Sequence, residues 1–229
     1  MGRILRPVGA GVLGLAPRRF MGIDLTASQH RASSICILSA RLVAVFHEAR
    51  LDEEMVGLAR AYSPVCVAID APLSYPSGAW GRGYRLCDRE VRRMGIGIFP
   101  LSLPSMRFLA ERGVRLAALL KGMGFDVIEA FPSGAQRVLG VWRGGQRRAA
   151  SIASGLRRLG LRLPRSPSLD MVDAATCAYV ALLHHRGMCL ALGDQSEGLL
   201  HLPAKSTLLS APRRSSYRSR RSSIVSRPS

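Results

Sequence analysis

VCVAIDA, residues 65–71, is a continuous apolar run of strand length that ends on a single acid, Asp70, just ahead of Ala71-Pro72. A run of this kind without alternation belongs to a strand covered on both faces, as in a parallel sheet packed between helices. Two other stretches have the same form. FMGIDLTAS, residues 20–28, carries Asp24 and runs into a polar turn; FDVIEAF, residues 125–131, carries Glu129. Between the first two lie SICILS (34–39) and LVAVFHE (42–48), β-rich runs separated by Ala40 and Arg41, which predict a hairpin.

Helical patterning fills the spaces. DEEMVGLARAY (52–62) sets apolar side chains at helical spacing behind acidic first-turn residues. Residues 87–95 read as a short basic helix after a Pro/Gly/Ser-rich loop. Residues 105–121 read as a longer helix stopped at Gly122 and Gly124. Residues 133–140, 145–159 and the nearly all-apolar 169–186 follow. LALGDQSEGLLHLP (190–203) reads as a closing loop or small hairpin. Strands alternating with helices after an initial antiparallel hairpin predict an α/β fold built on a mixed sheet flanked by helices.

With 229 residues, 48% of them apolar, the chain can bury one sizeable core. Its 33 basic residues against 15 acidic ones give a net charge of +18, a surface that attracts polyanions, nucleic acid first. The five cysteines are odd in number and contain no CxxC pair, and the histidines form no HExxH spacing. That argues against a disulfide framework or a zinc site and fits a reducing cytoplasm. No apolar run reaches the roughly 20 residues of a membrane span, so no membrane partner is expected. Residues 1–20 read as an extension or an early start, 21–204 as the folded domain with a basic insertion at about 75–124, and 205–229 as a disordered basic Ser/Arg tail.

The acids locate the chemistry. Most, including Asp52, Asp88 and Asp126, lie in polar or amphipathic settings and read as surface charge. Asp24, Asp70, Glu129 and Asp173 instead interrupt apolar elements, where an unpaired carboxylate is costly. Three of them stand near the C-terminal ends of buried strands, the edge where open α/β sheets place ligands. Asp173 belongs to the last helix, with Asp170 one turn earlier on the same face. Clustered carboxylates are relieved by retaining protons, by arginine, or by hard divalent cations such as Mg²⁺ or Mn²⁺. Ordinary roles stay open for each: an Asx turn for Asp24, a turn role for Asp70, an arginine partner for Glu129, a first-turn helix position for Asp170. Arg82, Arg85, Arg89, Arg92 and Arg93 could grip phosphates beside such a cleft, or form a solvated helix with an Asp88–Arg92 pair. Glu197 reads as a turn or capping residue.

GIDLTAS, VAIDAPLS, RLCDREVRRMGIGIFP, VIEAFPSGA, LDMVDAATCAYVA and GDQSEGLLHLP occur in this order across residues 21–203. The set resembles the family catalogued as domain of unknown function 429, predicted nucleases of ribonuclease H-like fold. The resemblance implies that Asp24 matches the first-strand aspartate of the ribonuclease H and Holliday-junction-resolvase groups. Asp70 and Glu129 then match acids on later strands, and Asp170 or Asp173 those on the final helix. It implies a metal-dependent nuclease acting on phosphodiester bonds, with Asp24, Asp70, Glu129 and Asp173 as metal ligands. A non-catalytic nucleic-acid-binding protein of the same fold is the first alternative. An ATP-binding phosphotransferase of the actin and sugar-kinase type is a weaker one, because no second glycine-rich phosphate loop is present.

Overall fold

The computed structural model describes residues 18–77 and 83–204. The expectations for residues 1–17, for Arg82 and for the tail at 205–229 fall outside the described residues. Seven strands form one sheet in the order β3-β2-β1-β4-β5-β7-β6. β1 (Arg19–Asp24) pairs antiparallel with β2 (Ser33–Ser39), which pairs antiparallel with β3 (Ala44–Ala49). On its other side β1 runs parallel to β4 (Cys66–Asp70), and β4 runs parallel to β5 (Asp126–Ala130). An antiparallel hairpin followed by parallel strands is the mixed sheet expected, and the β3-β2-β1-β4-β5 core is ribonuclease H-like. The first strand starts at Arg19, one residue ahead of the run read from Phe20, and Arg19 pairs with Ser39.

The sheet is covered on both faces. Met21, Ile23, Ile35, Ile37, Val67, Ile69 and Val127 pack under α1 (Asp52–Tyr62) and α3 (Pro104–Gly122). Phe20, Cys36, Leu38, Cys66, Ala68, Ile128 and Ala130 pack against α6 (Leu169–His185). Helices α2 (Leu86–Arg93), α4 (Pro132–Val138) and α5 (Ala149–Arg158) add to that layer. The apolar runs that lack alternation in β1, β4 and β5 are therefore strands buried on both sides. Residues 189–203 form the closing hairpin, β6 (Cys189–Asp194) and β7 (Gly198–Pro203), with β7 joined in parallel to the end of β5.

Gly22 positions the long helix. A Cβ there would stand 2.1 Å from the Ala174 carbonyl oxygen and 2.2 Å from the Ala178 amide nitrogen. Only a residue without a side chain lets α6 lie directly on β1, and that contact brings Asp173 down beside Asp24. All five cysteines are free thiols. Among the described residues no helix is long and apolar enough to cross a membrane.

Candidate functional site

Asp24 and Asp70 are the last residues of β1 and β4, and they are Cα partners across the parallel ladder. Partners in register lie about 4.8 Å apart and point to the same face. That face is the one under α6, whose Asp173 completes a group of three aspartates. Among the described residues no hydrogen bond or ion pair reaches the carboxylate of Asp24 or Asp70. Thr26, the amide an Asx turn at Asp24 could have capped, donates instead to the Ser33 hydroxyl at 3.0 Å.

The electrostatics follow from this crowding. Burial, then the charges of Asp173 and Asp170, push the Asp24 carboxyl from 3.8 up to about 7, against the opposing pull of Arg31 and Arg147. Burial, then Asp24 and Asp173, hold Asp70 well above the usual carboxylate range. Asp173 is raised by burial too, although Arg147 and Gln136 work against the rise. Three carboxyls that resist ionisation at neighbouring positions mark a place short of positive charge.

Arg147 is the cation nearest that need. Its guanidinium donates to Asp173 and, at 2.9 Å, to the Gln136 side-chain oxygen, while Gln136 donates to Asp173 Oδ1 at 2.8 Å and to Thr176 at 3.0 Å. Among the described residues the buried Arg147 Nε has no hydrogen-bond partner. Arg147 sits on the loop before α5, which starts at Ala149 rather than at 145 as the sequence suggests. Sequence reading placed this arginine inside a helix and missed it as a site residue; the Gly144-Gly145 pair just before it is the signal that a loop was to be expected. A cavity of about 530 Å³ opens over this group, lined by Asp24, Thr26, Arg31, Arg147, Asp170 and Asp173.

Glu129 stands beside the aspartates but is bound to its own arginine. Its register partner on β4 is Ile69, not Asp70, although it lines a cavity together with Asp70 and its charge adds to the rise of the Asp70 carboxyl. There Arg85 meets it with a two-pronged contact, Nη1 to Oε2 at 2.7 Å and Nη2 to Oε1 at 2.6 Å, and the Leu73 amide adds a third bond at 2.8 Å. Arg85 is fully buried and also binds Asp88 through Nε at 3.1 Å and Nη2 at 2.9 Å. Two expectations change here. Arg85 is an internal counter-ion with no face left to grip a phosphate, and Asp88 pairs with it inside the core rather than with Arg92 on a solvated face. Cys87, Asp88 and Glu129 offer ligand atoms all within 4.8 Å of one another. One guanidinium already bonds both acids, and burial pushes the Cys87 thiol up.

The remaining candidates lie at the surface. Asp170 pairs with Arg31 at 2.5 Å, both side chains substantially exposed. Arg89 is exposed and reaches Glu197 at 3.7 Å; Arg92 bonds the Tyr84 hydroxyl at 3.1 Å, and Arg93 is exposed. Glu197 takes the Leu86 amide at 2.5 Å and both the amide and hydroxyl of Ser77, so it caps α2 and ties the loop after β4 to the β6–β7 hairpin.

Comparison with curated proteins finds no match. Among solved structures the chain is similar to T. thermophilus RuvC in complex with Holliday junction substrate, at 15% identity over 74% of this chain and 96% of that one, with a TM-score of 0.46. A second Thermus thermophilus RuvC structure is similar at 15% identity over 73% of this chain and 95% of that one, with a TM-score of 0.42. The match of residues 22–198, from β1 to the first residue of β7, shows that the chain belongs to the family described as Protein of unknown function (DUF429).

Proposed function

We propose that this protein is a divalent-metal-dependent nuclease whose Asp24, Asp70 and Asp173 hold Mg²⁺ or Mn²⁺ at the C-terminal edge of the sheet. The observation that carries the reading is the in-register pair Asp24 and Asp70, two carboxylates that no hydrogen bond or ion pair reaches among the described residues, facing a third on α6. Their chemistry fits the group: three oxygen donors with a deficit of positive charge suit a hard cation. A metal held there supplies Lewis acidity and an activated water for phosphodiester hydrolysis. Gln136 and Thr176 orient Asp173 from behind. Arg31 and Arg147 line the same cavity and would take the phosphate charge of a bound strand. Exposed Arg143, Arg148, Arg157 and Arg158 extend the positive flank that would hold the rest of a nucleic acid.

Glu129, expected as a ligand, supports the site from outside it. Its pairing with Arg85 and with the Leu73 amide fixes the loop that follows Asp70. A second reading, a nucleic-acid-binding protein without catalysis, draws on the arginines already seated on Asp173, Asp170 and Glu129. Incubating the full chain with labelled single-stranded, duplex, hybrid and branched substrates separates the two. The nuclease reading expects cleavage that needs Mg²⁺ or Mn²⁺ and falls roughly a hundredfold or more in Asp70→Asn. Binding without metal-dependent cleavage anywhere in that panel leaves the second reading standing and ends the first.

A further inference from the structure

Beside the aspartates lies a second cavity, of about 220 Å³, with Asp70 on its wall. Its walls are chiefly apolar: Ile98, Phe99, Leu101, Met106, Leu109 and Phe131. Asp70, Arg147 and the paired Arg85, Asp88 and Glu129 also line it, so it shares Arg147 with the aspartate cavity and meets it at the proposed metal site. Phe99 stands out. It is 68% exposed, on a loop whose neighbouring Leu101 is buried and whose Leu101 amide is tied to the Gly83 carbonyl at 2.7 Å. An anchored loop that presents a phenylalanine to solvent spends no core packing on it.

We infer that this cavity receives the base of an unpaired nucleotide, stacked on Phe99, while the adjoining phosphate lies at Arg147 and the aspartates. This rests on the nuclease reading and adds the class of substrate to it. The occupant is chosen by what the cavity combines. An aromatic face and apolar walls take a planar heterocycle of any sequence. A guanidinium at the shared rim takes the phosphate one bond chain away, and the chain's charge of +18 favours a polyanion over an apolar peptide. The volume admits one ring system and little more. A base inside a duplex is stacked and paired, so only an unpaired base, or one extruded at the cost of its stacking, reaches a recessed pocket. The substrate class is therefore single-stranded, bulged or branched nucleic acid.

The experiment uses the full chain in EDTA, where cutting cannot occur, with oligonucleotides carrying 2-aminopurine at one position. The probes are a single strand, a duplex with the 2-aminopurine as a one-base bulge, and the fully paired duplex. The wild type is expected to quench the fluorophore in the first two and to bind them more tightly than the paired duplex. Phe99→Ala is expected to abolish the quenching and weaken those two complexes roughly tenfold, leaving the paired duplex unchanged; Phe99→Trp restores both. Phe108→Ala, another exposed phenylalanine but one outside the cavity, is expected to change nothing. Equal affinity for all three probes, or Phe99→Ala and Phe108→Ala behaving alike, overturns the pocket and leaves the nuclease reading intact. No binding to any probe overturns both.

Discussion

Two groups of acids stand side by side at one edge of one sheet, around the ends of the neighbouring strands β1, β4 and β5, and the fold meets their charge in different ways. Asp88 and Glu129 share Arg85, a cation the fold brings with it, and the triad closes through five charge-assisted hydrogen bonds and contacts at 2.6–3.1 Å. Among the described residues one guanidinium bonds Asp173 and none bonds Asp24 or Asp70, and burial raises all three carboxyls above the usual range. Both acids of the first group are bonded to a cation that the fold supplies. Asp24 and Asp70 of the second have no such bond among the described residues, and the proposed metal site rests on that difference. It also predicts that neutralising a member has opposite signs in the two places.

The largest effect belongs to the closed triad. Arg85→Met leaves two carboxylates buried without a counter-ion and is expected to cost about 3–5 kcal/mol in chemical denaturation. A cost near zero would mean that Asp88 and Glu129 simply take up protons, and the distinction between the groups would be lost.

Asp24→Asn runs the other way. The folded-state pKa of Asp24, about 7, lies above its ordinary 3.8, so the contribution of this group is intact below about pH 3.8 and is lost as pH rises through about 7. In EDTA the variant is therefore expected to be more stable than the wild type by roughly 2–4 kcal/mol at pH 8. The gap should shrink toward zero as pH falls to 4. A destabilised variant at pH 8 would show that Asp24 is already paid its due charge by Arg31 and Arg147.

Much of this edge was legible in the residues. Acids that break the unalternating runs at Asp24 and Asp70 mark strand ends, because an apolar strand tolerates a charge only where it emerges. The hairpin at 34–48 and the helix at 52–62 follow from period alone. What escaped was set by register and by distant partners. Glu129 has the same local signature as Asp70, yet it pairs with Ile69 and is held by Arg85, and no sequence period reports which residue of β4 stands opposite or which distant cation arrives. Asp52 and Asp88 read as surface charge and are buried. The first meets Arg112, sixty residues on, at 2.8 Å, and the second meets Arg85, so their burial depends on tertiary contacts rather than on neighbours.

A smaller effect tests whether Arg147 is a stand-in for the missing charge. Arg147→Gln removes the cation that, among the described residues, is bonded to Asp173, which is expected to lower the metal-free stability by about 1–3 kcal/mol. The same change frees Asp173 for a metal. The rise in melting temperature on adding Mn²⁺ should accordingly be larger in the variant than in the wild type. If Mn²⁺ stabilises the variant less, Arg147 helps to build the metal site rather than competing for it.

The smallest effect divides the two acids of α6. Asp170 and Asp173 are three residues apart and share a helical face, so spacing alone cannot choose between them. Their settings can. Asp173 is buried under Gln136 and Arg147 beside Asp24, whereas Asp170 sits in the first turn of the helix, substantially exposed, with the equally exposed Arg31. An exposed pair of this kind contributes at most about 1 kcal/mol. Asp170→Ala is therefore expected to shift stability by less than that and metal-dependent cleavage by less than about fivefold, while Asp173→Ala abolishes the Mn²⁺ response. Loss of the Mn²⁺ response in Asp170→Ala as well would move the metal outward, to the mouth of the cavity, and make Arg31 rather than Arg147 the cation it displaces.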